Sequence, residues 1–180
     1  MKLPIWNLSE FYSSFKDKQI NKDLHSLKQK ISLFSNKYKG RLEKLKKQQL
    51  IKSLAEFEKI EEIILKLRSY AYLEYCTDQL NNEKAKFYQK IEESVLNCEK
   101  DIIFYGIELN KLTDIKTSVF SETKYKNWIK NHKKFKKFQK PENIEKILAE
   151  KSLTSSSAWV RFFDQLMTRL KFKINGKVFS

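Results

Sequence analysis

Two histidines, two cysteines, three pairs of neighbouring glutamates and one aromatic-laced lysine run are the groups in this 180-residue chain best suited to chemistry. His25 is followed by Ser26-Leu27 and His132 by Lys133-Lys134, so the chain contains no HExxH zinc motif. Neither histidine has a glutamate three residues before it, which excludes the Glu-x-x-His pairs of di-iron bundles. His25 lies at the edge of an apolar stripe and His132 inside a lysine cluster, where we expect it to be solvated. Cys76 and Cys98 stand 22 residues apart with no third cysteine, a spacing that fits no zinc site; two small apolar side chains are the expectation. Gly40, Gly106 and Gly176 are too widely separated for a dinucleotide loop, a phosphate loop or a nucleophile elbow. The pairs Glu56/Glu58, Glu61/Glu62 and Glu92/Glu93 fall on lysine-rich helical faces, where solvated ion pairing is expected rather than acid–base catalysis. No catalytic, cofactor-binding or metal residue is therefore assigned.

The segment Lys124–Lys140 carries eight lysines interleaved with Tyr125, Trp128, Phe135 and Phe138, and no acidic residue. Aromatic faces stack bases while lysines follow a phosphate backbone, so this segment is the natural nucleic-acid candidate. Its aromatic residues also recur at helical spacing, which a half-buried helix requires anyway, and packing is the reading we favour. The formal net charge of +15 invites the same partner. Of 37 basic residues, however, only Arg41, Arg68, Arg161 and Arg169 are arginine, leaving 33 lysines. Phosphate- and base-gripping sites favour the planar arginine fork, so the charge reads as compositional bias and nucleic acid as a disfavoured partner.

The elements that must position these groups are helical. With three glycines and two prolines, the chain has few residues able to make turns. Ile20, Leu24, Leu27, Ile31, Phe34 and Tyr38 form one stripe, closed by Lys39-Gly40. A second stripe runs from Leu42 through Leu45, Leu50, Leu54, Phe57, Ile60, Ile64, Leu67 and Ala71 to Tyr75. It predicts a helix of about 35 residues and roughly 50 Å. Asn81-Asn82 caps a third helix with the stripe Ala85, Tyr88, Ile91, Val95, Cys98, Ile102, Tyr105 and Leu109. The short connection predicts that helices two and three pair as an antiparallel hairpin. A shorter helix over 124–140 ends before Pro141, and another follows through Ile144, Ile147 and Leu148. A last amphipathic helix carries Trp159, Phe162, Phe163, Leu166, Met167 and Leu170. Asn175-Gly176 then signals a β-hairpin whose second strand is barely begun. The fold class is mainly all-α: a long helical hairpin plus shorter helices, ending in an incomplete β-hairpin. No apolar run reaches membrane-span length and the start lacks a signal-peptide core, so a cytoplasmic, non-membrane protein is expected.

Residues 145–172 (EKILAEKSLTSSSAWVRFFDQLMTRLKF) resemble the N-terminal region of the oligoendopeptidase F family of zinc metallopeptidases. Three further blocks are similar in the same order. Residues 6–12 (WNLSEFY) resemble its opening W-D-L-S-x-L-Y segment, 70–78 (YAYLEYCTD) its Y-A-x-L-x-Y-x-T-D segment, and 174–177 (INGK) its first hairpin. The resemblance implies a largely helical region beside a peptide cleft. It also implies that zinc, held by the two histidines of HExxH and a downstream glutamate, lies in a later part of the family's longer chain. None of those ligands has a counterpart here, so no cofactor is expected in this chain. Trp159 is expected as a buried aromatic and Arg161 as a member of a structural ion pair.

The expected organisation is a helical hairpin domain over 1–112 and the truncated start of a helical and β-hairpin region over 113–180. The expected function is that of a non-catalytic N-terminal fragment of an oligoendopeptidase F-like peptidase, inactive alone. A separately encoded catalytic domain would be its partner, peptides would bind only in a full-length context, and one apolar face would be exposed. The alternatives are a basic helical nucleic-acid module using Lys124–Lys140 and a helical protein-interaction scaffold.

Overall fold

The computed structural model describes residues 6–179. Helix α1 spans Lys18–Tyr38, α2 Lys47–Thr77, α3 Asn82–Glu99, α4 Ile103–Lys111, α5 Asp114–Thr117, α6 Lys126–Lys134, α7 Glu142–Thr154 and α8 Ser156–Arg169. Strands β1 (Phe172–Ile174) and β2 (Lys177–Phe179) pair antiparallel. The fold is mainly all-α, as the periodicity predicts. No helix among the described residues is long and apolar enough to cross a membrane.

The first helix begins where Asp17 accepts a hydrogen bond from the Gln19 amide at 2.8 Å, satisfying an otherwise orphaned donor. It ends where Gly40 takes a left-handed φ of 72°. The amides of Gly40 and Leu42 then donate to the Glu108 carboxylate on α4, at 2.6 and 3.4 Å. That docking explains the first departure from expectation. Leu42–Lys44 is a separate 3-10 turn, Leu45 is extended, and α2 starts only at Lys47. Leu42 is nonetheless buried, so it belongs to the core without belonging to the helix.

Helices α2 and α3 form the expected antiparallel hairpin. Arg68 reaches Glu92 and Glu99, Tyr75 stacks on Tyr88, and Glu74 pairs with Lys84, a register that runs backwards along the two chains. The third helix does not continue to Leu109 as one rod. It stops at Glu99, turns through Lys100–Ile102 and resumes as α4. The Asp101 carbonyl freed by this turn accepts the Ser35 hydroxyl at 2.7 Å, and Ile102 is buried, so apolar phase survives the break. The core gathers Leu27, Ile31 and Phe34 of α1, Leu50, Leu54, Ile64 and Leu67 of α2, and Phe104, Tyr105 and Leu109 of α4.

The stretch 124–140 likewise divides, into α6 and a 3-10 turn over Phe135–Phe138. Helix α7 packs on α3 and α4, and α8 packs chiefly on α7. Asn175 and Gly176 both adopt positive φ, 49° and 80°, the two left-handed residues that a tight two-residue hairpin turn requires.

Candidate interaction surface

The sequence-selected chemical groups scatter rather than converge. His25 is exposed on α1. His132 is not solvated as expected: its ring stacks on Trp128 at 5.0 Å, nearly parallel, and Nε2 lies 3.0 Å from the Gly106 carbonyl oxygen. A Cβ on Gly106 would lie 3.1 Å from His132 Cε1, so the His132 ring would have to give by a few tenths of an ångström to admit it. Cys76 and Cys98 are free thiols, each half-buried, and burial pushes the Cys98 thiol up. No three His, Cys, Asp or Glu side chains among the described residues converge as a metal site. The residues present thus do not fit the zinc that the resemblance implies for the family.

The carboxylate pairs separate into two kinds. Glu56 pairs with Lys37 at 2.7 Å, and Glu58 accepts from Lys124 and from the Tyr125 hydroxyl, each at 2.7 Å. Those bonds hold the Glu58 carboxyl below the usual range. Glu92 lies 3.3 Å from Arg68, which bonds Glu99 at 2.6 Å. Glu61 breaks the expected pattern of solvated pairing. It is half-buried, and among the described residues it makes no hydrogen bond and no ion pair. Burial, reinforced by the neighbouring Glu99 charge, raises its carboxyl above the ordinary value.

The lysine run is also divided. Tyr125 and Ile129 are buried, as the packing reading requires, and Trp128 lies 6.3 Å from Phe57. Lys124 and Lys133 are committed to Glu58 and Asp114. Phe135 and Phe138 instead stand exposed, because the chain leaves the helical path at Phe135 and carries both rings off the buried face.

A long exposed apolar stripe lies on α8. Trp159, Phe162, Phe163, Leu166, Met167 and Leu170 follow helical spacing and make a single stripe, yet none is buried. Trp159 is 71% exposed, which corrects the expectation of a buried aromatic. Arg161 makes no ion pair among the described residues, correcting the second expectation. The Trp159 exposure follows from how α8 docks: it rests on α7, sets half-buried Arg161, Asp164 and Gln165 beside Tyr75 of α2, and bonds Thr168 to Gln79 (2.6 Å), which leaves the apolar stripe outside. Ile147 and Leu148 of α7 add to the uncovered apolar area. A contiguous stripe of this kind is the mark of an interaction surface, and sequence periodicity alone reads it as core.

Comparison with known families covers the residues of this stripe. Residues 108–172, just over a third of the chain, match the N-terminal peptidase M3 family model described as oligopeptidase F. The matched segment contains all of α7 and α8. Comparison with curated proteins and with solved structures yields no match.

Proposed function

We propose that this chain, with its oligopeptidase F N-terminal segment at residues 108–172, is a non-catalytic helical region of an oligoendopeptidase F-like zinc metallopeptidase. Its role is to pack the α7–α8 face against a catalytic part that carries the zinc. The observation that carries this reading is the uncovered stripe from Trp159 to Leu170, lying wholly inside the family-matched residues. Each stripe residue is already partly covered, so complete burial returns on the order of 1 kcal/mol apiece. That total must exceed an association cost of about 4 kcal/mol or more, so the stripe needs most of its length engaged to hold a partner.

The test mixes the purified chain with a polypeptide bearing the HExxH region of an oligoendopeptidase F-like enzyme. The expected result is a complex by size exclusion that the double variant Trp159→Glu/Phe163→Glu weakens at least about tenfold without altering the chain's own unfolding midpoint. The chain alone is expected to hold no stoichiometric zinc and to leave a quenched fluorescent peptide intact; turnover by the chain alone would refute the proposal. A second reading draws on the exposed Phe135 and Phe138 beside Lys136 and Lys137, an arrangement that suits single-stranded nucleic acid. Steeply salt-dependent binding, lost on charge reversal of Lys136 and Lys137, would favour it.

A further inference from the structure

Two cavities share Phe57 and Glu61 of α2: one of about 340 Å³ also lined by α3, α4, α6 and α7, and one of about 300 Å³ between α2 and the start of α6. Leu96 and Ile103 form apolar wall in the first, while Leu65 and Trp128 do so in the second. Two acceptors lining the first cavity have no donor among the described residues. Glu61 makes no hydrogen bond and no ion pair among the described residues; the Arg68 guanidinium attracts it only from longer range, being bonded to Glu99 at 2.6 Å and 3.3 Å from Glu92. Asn110, which lines the first cavity, is only 4% exposed; its Nδ2 donates to Gln139 Oε1 at 2.6 Å, while its Oδ1 is buried without a partner.

In a chain with 37 basic and 22 acidic residues, counter-ions for a carboxylate are abundant. A half-buried glutamate with no close cation, in a cavity that an orphaned amide oxygen also lines, is a cost that a ligand would reduce. Burial and the Glu99 charge raise the Glu61 carboxyl, and the Arg68 charge offsets this only in part.

We infer that this paired cavity binds a small ligand with a positively charged nitrogen and an apolar body, an alkyl- or arylammonium ion. The ammonium supplies a close positive charge to Glu61, and the body lies against Phe57, Leu96 and Ile103. The Trp128 ring at the rim adds an aromatic face of the kind that attracts cations. Each cavity is at the small end of ligand sites, which limits the body to about ten non-hydrogen atoms. Affinity is correspondingly modest, with a Kd on the order of 0.1–1 mM. The site uses none of the α8 stripe residues.

The probe is phenethylamine as its ammonium ion, titrated into the isotope-labelled full chain and followed by NMR shifts. The neutral isostere 2-phenylethanol provides the charge comparison. Saturable shifts centred on Phe57, Glu61 and Ile103 are expected, with the alcohol at least about tenfold weaker. Glu61→Gln is expected to weaken the ammonium by a similar factor, and Glu62→Gln, on the exposed side of the same turn, to leave it unchanged. Absence of saturation up to about 10 mM, or equal affinity for amine and alcohol, overturns the inference. Unchanged amine binding by Glu61→Gln also overturns it. Should Glu61→Gln fail to fold, the amine–alcohol comparison on the unaltered chain decides the matter alone.

Discussion

Ser53 and Tyr105 join α2 to α4 inside the core, and replacing them in a double-mutant cycle gives an asymmetric result that follows from where one proton sits. Both residues are fully buried. The Ser53 hydroxyl lies 2.7 Å from the Leu50 carbonyl, which only accepts, so the serine proton goes there. The Tyr105 hydroxyl, 2.9 Å away, must then donate to Ser53 Oγ. Burial pushes the Tyr105 phenol far up, so it keeps that proton under all working conditions. Ser53→Ala removes the acceptor and strands a buried donor, at a cost of about 2 kcal/mol. Tyr105→Phe keeps the ring stacked on Phe57 at 4.7 Å and against Phe34 at 5.0 Å. It leaves only an acceptor lone pair empty, for about 1 kcal/mol. The double variant strands no donor, so its destabilisation falls below the sum of the singles by about 1 kcal/mol or more. Urea unfolding followed by circular dichroism, fitted with one shared slope, measures all four corners. If Ser53→Ala costs no more than Tyr105→Phe, or if the effects add within about 0.3 kcal/mol, the proton assignment is wrong.

Glu61→Gln is expected to raise the urea midpoint at pH 7, since it removes an unpaired, partly buried charge. The raised carboxyl means that the penalty is absent below the ordinary value of 4.5 and grows as pH rises through the folded value, so the advantage disappears near pH 4. A gain that persists unchanged at pH 4 would show that charge burial is not its source. Asn81 accepts from the Glu83 and Lys84 amides at 2.9 and 3.3 Å, so Asn81→Ala is expected to cost about 1 kcal/mol, with early amide exchange confined to the first turn of α3.

Element identity was legible in the sequence wherever a long apolar stripe stood between residues with definite backbone chemistry. Ile20 to Tyr38 ends at a glycine that takes the left-handed φ, Asn81 caps the helix it precedes, and Asn175-Gly176 makes the tight turn. These are short-range effects, so they are written in neighbouring residues. The breaks at Leu45 and at Lys100–Ile102 were not legible, because the apolar spacing runs through both. What interrupts the helices there is docking to partners 66 residues away, Glu108 for Leu42 and Ser35 for Asp101.

The sequence by itself determined that α8 would be amphipathic, that Glu61 would share a turn with other carboxylates, and that no zinc motif would occur. Only the tertiary structure decided that the α8 stripe faces outward, that His132 packs between Trp128 and Gly106, and that Glu61 lines two cavities with no ion pair among the described residues. Periodicity reports which side chains share a face, since that depends on the angle between successive residues. Whether a face is covered, or a charge paired, depends on segments far away in the chain, and no local spacing contains that.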